Sequence, residues 1–248
     1  MDTYDALAGV YDLFAHDYDH DLWLARLLEA AGAGGPGDGR RVLDVGCGTG
    51  RSFVPLQRRG WAVSACDLAP GMVRAARAKA DQRHRVFAAD MRRLGGDGGF
   101  DLVTCLDDAL NHLLDDRAAG DALRGMARRL APGGLLVFDV NTRRTYDTAF
   151  TGAEAFEVQG HRFAWRGEGA DRSGPDRFAA TVRARPPGGG KIAVRHLQRH
   201  HEPARLTAQL RAAGLEPVAV LGQRTGCRIE RGADERRHTK TVLVAAPR

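Results

Sequence analysis

Two periodicities divide the 248-residue chain. Apolar positions recurring every three to four residues predict helices over Tyr4–Ala15, Asp21–Ala31, Arg51–Arg59, Arg117–Leu130 and Pro203–Ala213. In the second of these Leu24, Leu27, Leu28 and Ala31 form one stripe; in the last, Leu206, Leu210 and Ala213 do. A further helix opens at Leu68–Met72, with Pro70 suited to its first turn. Between the helices lie apolar runs of strand length: Val42-Leu43 leading into Asp44, then Ala62–Cys66, Arg85–Ala89, Phe100–Leu106 and Leu135–Val140. Pro217–Leu221 and Thr239–Ala246 read as two closing strands. Residues 141–202 change character. Phe156–Trp165, Arg177–Arg185 and Lys191–His200 are strands of mixed alternation, joined by the turn-like SGPD and RPPGGG, and predict an inserted antiparallel sheet. The organisation expected is a helical cap and linker (1–39), an α/β core (40–140), the insertion (141–202) and a completion of the core sheet (203–248).

Val42–Gly50, VLDVGCGTG, is an apolar run that ends in glycines at alternate positions, Gly46, Gly48 and Gly50. Such a loop lets the backbone take positive φ and lets a ligand approach the main chain. The dinucleotide pattern G-x-G-x-x-G fails, because Arg51 stands at its last position, and no Gly-Lys-Ser/Thr follows to make a phosphate loop. A carboxylate at Asp44, two residues before the first glycine, suits a cationic ligand group and repels a pyrophosphate.

Further carboxylates follow the next strands in register: Asp67 after the second, Asp90 after the third and Asp107-Asp108 after the fourth. One carboxylate at the second strand's end offers two acceptor oxygens, enough for a pair of ribose hydroxyls. The glycine loop with Asp44, the acids in register and the Leu-x-Pro-Gly-Gly-x-Leu pattern, here LAPGGLL, resemble the class I S-adenosylmethionine-dependent methyltransferases, in the branch that acts on small molecules. The resemblance covers most of the chain, 141–202 least. It implies a seven-stranded, mostly parallel Rossmann-like sheet with helices on both faces. It also implies S-adenosylmethionine as cofactor, with S-adenosylhomocysteine as product and no metal. The implied cofactor residues are Asp44, Gly46, Cys47 and Gly48 in the loop, and Asp67 at the ribose. Leu68 and Met72 flank the adenine, which Asp90 and the backbone of Met91 meet at its edge, and Leu106 follows on the fourth strand. Ala8-Gly9-Val10-Tyr11-Asp12 is similar to a segment in which a Tyr faces the cofactor's methyl end, which places Tyr11 there.

Composition narrows the partners. Net charge is +6, with 1–139 at −3 and 140–248 at +9. A basic half fits nucleic acid or an anionic substrate, or simply a solvated surface. Only three of the 37 basic residues are Lys, and the abundance of Arg, Ala and Gly reflects a GC-rich bacterial genome. With no appended RNA-binding module, a nucleic acid is not the expected partner. No run of 18 apolar residues exists and the N-terminus is acidic, which predicts a cytoplasmic protein with no membrane span. Cys47, Cys66, Cys105 and Cys227 lack C-x-x-C spacing and read as free buried thiols.

Methyl transfer from a sulfonium needs chiefly alignment of an acceptor N or O with the methyl–sulfur bond and exclusion of water. Tyr11, His112 and His196 are the candidates for positioning or proton removal. Asn111, Asn141, Trp165 and His196 are the candidate acceptor contacts, since the fourth and fifth strands and the insertion share the ligand edge of the sheet. His196, His200 and His201 lack a further ligand at metal spacing. A homodimer through the inserted sheet is compatible with the same residues. The resemblance is also compatible with an RNA methyltransferase, or with a cofactor-binding relative that performs another reaction such as a cyclisation.

Overall fold

A computed structural model describes residues 4–16, 19–35, 37 and 39–248. Tyr18, within the cap expected over 1–39, and parts of its glycine-rich linker lie outside the described residues.

Five strands run parallel: β1 (Arg41–Val45), β2 (Ala62–Asp67), β3 (Arg85–Ala88), β4 (Phe100–Cys105) and β5 (Leu130–Asn141). The helices α3 (Phe53–Arg58), α4 (Pro70–Arg77) and α5 (Asp116–Ala127) connect them. After α7 (Pro203–Ala212), β10 (Leu215–Arg224), β11 (Arg228–Arg231) and β12 (Lys240–Pro247) complete the sheet antiparallel, in the order β11-β10-β12-β5-β4-β1-β2-β3. The strands bury both faces, and alternate residues feed different cores. Val137, Val242 and Val244 join Phe53, Leu56 and Trp61 on one face; Leu136, Phe138 and Leu243 join Leu123, Leu206 and Leu210 on the other. In α2 (His20–Ala30), Asp19 caps the first turn by accepting from Leu22 N–H at 2.9 Å, and the Trp23, Leu24, Leu27 and Leu28 stripe seals the first core.

The expected class I architecture is present, with one correction: among the described residues the sheet has eight strands, not seven. The extra strand β11, Arg-Ile-Glu-Arg, is a four-residue edge with one apolar residue, so no alternation announces it. A second, antiparallel sheet contains β6 (Ala153–Val158), β7 (His161–Ala170), β8 (Arg177–Arg185) and β9 (Ile192–Arg199), paired in chain order. Phe156–Trp165 is therefore not one strand but the two arms of a hairpin. It turns at Gln159-Gly160, where both residues have positive φ (49° and 73°). A short helix, α6 (Arg143–Thr148), precedes this sheet.

The N-terminal segment also departs from expectation. Within residues 4–16 only Tyr11–Phe14 is helical (α1), and 4–10 form successive turns. Its apolar residues serve the second sheet instead of a helix stripe. Leu7 and Val10 are buried against Phe163, Val182, Ala184 and Val194, with Phe14 beside Phe156, Phe163 and Trp165. The cap and the inserted sheet thus form one roof over the carboxyl edge of the parallel strands.

Candidate active site

In the spatial order β3-β2-β1-β4-β5 the strand order reverses between β1 and β4, and the crevice outside their carboxyl ends is where open α/β sheets bind ligands. A cavity of about 570 Å³ lies there, a volume suited to one mid-sized ligand. Its floor is the glycine loop. Gly46 has φ 72°, and a Cβ on it would stand 2.8 Å from the Ala109 side chain, so the position is closed to other residues. A Cβ on cavity-lining Gly48 would meet nothing within 4 Å and would itself occupy the space a ligand's backbone contacts require.

Asp67, at the end of β2, lines the cavity. Its carboxylate accepts from Gly48 N–H at 2.8 Å and Ala69 N–H at 2.9 Å, which ties it to the loop. Leu68, 55% exposed, and the buried Met72 stand beside it, with Ala89, Asp90 and Met91 across from them. Asp90 caps the turn Met91–Arg93 and is held by the Arg92 guanidinium at 2.6 Å; that hydrogen bond keeps its carboxyl below the usual range.

Asp44 is placed differently from expectation. It lies beneath the loop, 1% exposed and outside the cavity lining, accepting from Ser52 Oγ at 2.9 Å and Thr104 Oγ1 at 2.7 Å. Burial pushes its carboxyl up to about 6 despite those two hydroxyls. The acid braces the loop against β4 and the start of α3.

Beyond β4 the wall becomes polar. Asp107 and Asp108 both hold left-handed backbone, φ 55° and 54°, a conformation costing about 1 kcal/mol or more per residue. The buried Asp139 carboxylate of β5 stabilises it by accepting both N–H groups, at 2.8 and 2.7 Å. Lys240 reaches Asp107, Asp108 and Asp139 at 3.4, 2.9 and 2.9 Å. β12 is antiparallel, so its first residue falls at the same edge where the parallel strands end. Burial pushes Asp139 up to about 6. Burial also acts to raise Asp107, but the Lys240 charge and the His20 hydrogen bond outweigh it and hold this carboxyl well below the usual range.

The roof closes the far end. Asp12 latches it to the floor through Thr49 and Lys79. Tyr11 lines the cavity, its phenol pushed up by burial and by the nearby Asp107 and Asp108. Tyr4 Oη lies 2.9 Å from His112 Nε2 and 3.0 Å from His196 Nδ1, joining cap, β4 turn and β9 at one point. Burial brings His196 down to about 4.

Of the residues singled out from sequence, Tyr11, Gly46, Cys47, Gly48, Asp67, Leu68, Met72, Asp90, Met91, Leu106, His112 and His196 line this one cavity. Asn111, Asn141 and Trp165 stand behind its wall. Asn111 accepts from Asn141 N–H at 3.0 Å and donates to the Arg199 carbonyl at 2.8 Å, and Asn141 donates to Gln198 Oε1 at 3.0 Å. Trp165 donates to the Ala149 carbonyl at 2.6 Å and packs on Phe14 and Phe150. Being at the ligand edge in sequence did not aim these side chains inward, because the polar backbone there needed partners first. Tyr4 and Lys240 also line the cavity, beyond the residues expected from the sequence. A lysine opening an otherwise apolar final strand was the one available signal. Among the described residues no cluster of metal-ligating side chains occurs.

A sheet of this order, with a glycine loop after β1 and an acid after β2, defines a class I methyltransferase architecture. Residues 42–134 match a family model described as a methyltransferase domain. An amino pentose methyltransferase of Micromonospora echinaspora, solved with S-adenosylmethionine bound and involved in calicheamicin biosynthesis, is 26% identical. It superposes with a TM-score of 0.75 over 96% of this chain and 97% of that one. A sugar N-methyltransferase of Streptoalloteichus sp. is 27% identical, with a TM-score of 0.73 over 96% and 93%. A Geobacillus sp. protein named as a methyltransferase is 33% identical over 154 residues, 61% of this chain and 62% of that protein. The chain spans between half and about three-fifths of the length of the curated relatives it matches. Residues 42–134 thus carry a methyltransferase domain, within a fold shared with S-adenosylmethionine-dependent methyltransferases.

Proposed function

We propose that the chain binds S-adenosylmethionine and transfers its methyl group to a nitrogen or oxygen atom of a small molecule in bacterial secondary metabolism. The observation that carries this is the cavity at the carboxyl edge of the sheet, which the site residues share. Its floor and one end offer the glycine backbone, Asp67, Leu68, Met72, Asp90 and Met91; its other end offers Tyr11, His112 and His196. The first set suits the cofactor: backbone and Asp67 for its polar parts, Leu68, Met72 and Met91 for its ring. When bound, the cofactor supplies an electrophilic methyl on a good leaving group. The chain then has to orient an acceptor, exclude water and receive a proton. The roof built from the cap and residues 141–202 suits the choice of acceptor, since it closes the end opposite the adenine set. The relatives of known structure that act on amino sugars support an amine-bearing acceptor. The basic half does not point to nucleic acid, because its arginines are widely engaged. Arg195 pairs with Glu168 and Asp171, Arg199 with Asp116, Arg143 with Asp176 and Arg211 with Glu216.

Calorimetry tests the cofactor: binding of S-adenosylmethionine and S-adenosylhomocysteine, with none of NAD, is expected. Release of S-adenosylhomocysteine on incubation with amino-pentose glycosides tests the transfer. Tight NAD binding without response to either sulfur ligand would sink the reading.

A further inference from the structure

Among the described residues the two sheets have four edges, and three are covered or blunted. On the parallel sheet, β3 is crossed by Arg77, whose Nε donates to the Val86 carbonyl at 2.9 Å, and β11 is four residues long with an arginine at each end. On the second sheet, β9 lies against the Ala109–His112 turn, where Asn111 donates to the Arg199 carbonyl. The remaining edge is β6. Its sequence, Ala-Glu-Ala-Phe-Glu-Val, carries no Pro, Lys or Arg, and no bulge interrupts its pairing with β7. Ala153, Glu154, Ala155 and Glu157 are exposed. Such a strand presents a row of main-chain donors and acceptors to any strand that reaches it.

Charge names the occupant. Alternate residues share a face, so Ala153, Ala155 and Glu157 lie with Arg162, Ala164 and Arg166 on the side away from the cap. Glu157 stands opposite Arg162, and Ala153 opposite Arg166. Among the described residues neither Glu157 nor Arg166 has an ion-pair partner. A second copy related by a two-fold axis brings an antiparallel β6. Like faces stay together only when one residue pairs with itself at the axis, because a slip of one residue turns every side chain over. Centring on Glu154 or Glu157 sets an acid against itself. Centring on Phe156 puts Glu157 in a row with the partner's Ala155 and Ala164, which holds no cation. Centring on Ala155 puts Glu157 beside the partner's Ala153, with the partner's Arg166 next in that row. Two strand spacings, about 10 Å between Cα atoms, then separate acid from cation. The two long side chains bridge that gap over the small Ala153, and symmetry makes the pair twice.

We propose that β6 is the docking edge for a second copy of this chain, paired antiparallel about Ala155, so that the two second sheets join into one of eight strands. Main-chain hydrogen bonds supply the attraction. Exposed ion pairs add little, so the Glu157–Arg166 pairs select the register more than they add affinity. The contact is short, which makes the dimer a weak one. Its consequence is for the roof. Phe163 and Trp165 lie on β7, directly behind β6, on the face that holds the cap. Pairing at β6 therefore braces from outside the wall that closes the cavity, in both copies.

The test is sedimentation equilibrium of the full chain over a concentration series, without ligand, where a reversible monomer–dimer equilibrium is expected. Ala155→Lys sets a like charge against itself at the two-fold and should shift the chain to monomer with its thermal midpoint unchanged. Ala155→Cys sets two thiols directly opposite, at a Cα separation of about 4.5–5.5 Å that a disulfide accepts, so mild oxidation should give a covalent dimer. The four native cysteines are buried, which keeps the background low. Ala164→Cys, one strand further in, should give none. Glu157→Arg and Arg166→Glu should each weaken the dimer several-fold, and the two together should recover most of that loss. A chain that stays monomeric through the series overturns the proposal. So does a dimer that Ala155→Lys leaves intact, one that crosslinks at Ala164→Cys and not at Ala155→Cys, or a charge exchange that recovers nothing.

Discussion

The two ends of the cavity are built by different means. The end formed by Gly46–Ser52, Asp67–Met72 and Ala89–Arg92 takes short contiguous stretches, each following a strand of one parallel sheet, and much of what it presents is backbone. The far end takes single side chains from distant places: Tyr4, Tyr11, His112, His196 and Lys240. Backbone placed by a sheet edge is rigid and local, so sequence motifs mark it. A side-chain junction between cap, turn and inserted sheet depends on packing of the roof, and no short motif marks it. The first end suits an invariant cofactor; the second suits an acceptor that differs between relatives.

The contrast predicts separable losses. The largest is at Gly46. Gly46→Val meets both a positive φ and a 2.8 Å contact with Ala109, so it should abolish S-adenosylhomocysteine binding in calorimetry and lower the urea midpoint by the equivalent of about 2 kcal/mol or more. Binding retained at full strength would show that the loop is not the cofactor floor. Next, Asp67→Ala removes an acceptor for ribose hydroxyls. Each charge-assisted bond contributes about 1.5–3 kcal/mol, so affinity should fall at least tenfold with the fold intact. Unchanged affinity would move the ribose elsewhere.

Asp44→Ala should act on stability more than on the ligand. It leaves the buried Ser52 and Thr104 hydroxyls without their shared acceptor, which costs about 1–3 kcal/mol. A large affinity loss at unchanged thermal midpoint would put Asp44 in the cofactor site after all. At the opposite end, Trp165→Ala should loosen the junction of Phe14, Phe150 and the second sheet, lowering acceptor turnover several-fold with cofactor affinity nearly unchanged. If cofactor affinity falls first, the roof is a cofactor lid.

The smallest effect is on pH dependence. His196 and His201 are brought down to about 4 by burial, so the folded chain resists protons that the unfolded chain takes near 6.5. Their contribution is complete above about 6.5 and is lost as pH falls toward 4. Asp44 and Asp139, raised to about 6, act oppositely: the folded chain takes their protons first, which favours folding as pH drops from 6 toward the ordinary carboxylate range. Partial cancellation should leave the urea midpoint only weakly dependent on pH between 6.5 and 5. His201→Gln removes one histidine contribution and should tip the balance, so that acidification lowers the midpoint less than in the unaltered chain. A steeper fall would mean that His201 is not held neutral.

The sequence alone determined the parallel core, its glycine loop and the acids that follow the strands in register. Each of those depends on hydrophobic periodicity and on backbone geometry within a few residues. It also located the inserted antiparallel sheet, missing the Gln159-Gly160 turn and the polar edge strand, whose local signals are weak. What only the tertiary structure decided is where side chains at one sheet edge point. Asp44 stands near the end of β1 and Asp107 just past β4, yet one is buried beneath the loop by Ser52 and Thr104 while the other faces the cavity. Asn141 and Gln198 are spent satisfying buried polar groups, and Tyr4 reaches His112 across 108 positions of chain. Those choices follow from competition for hydrogen bonds among groups brought together by folding, a competition that exists only once the roof has closed on the sheet.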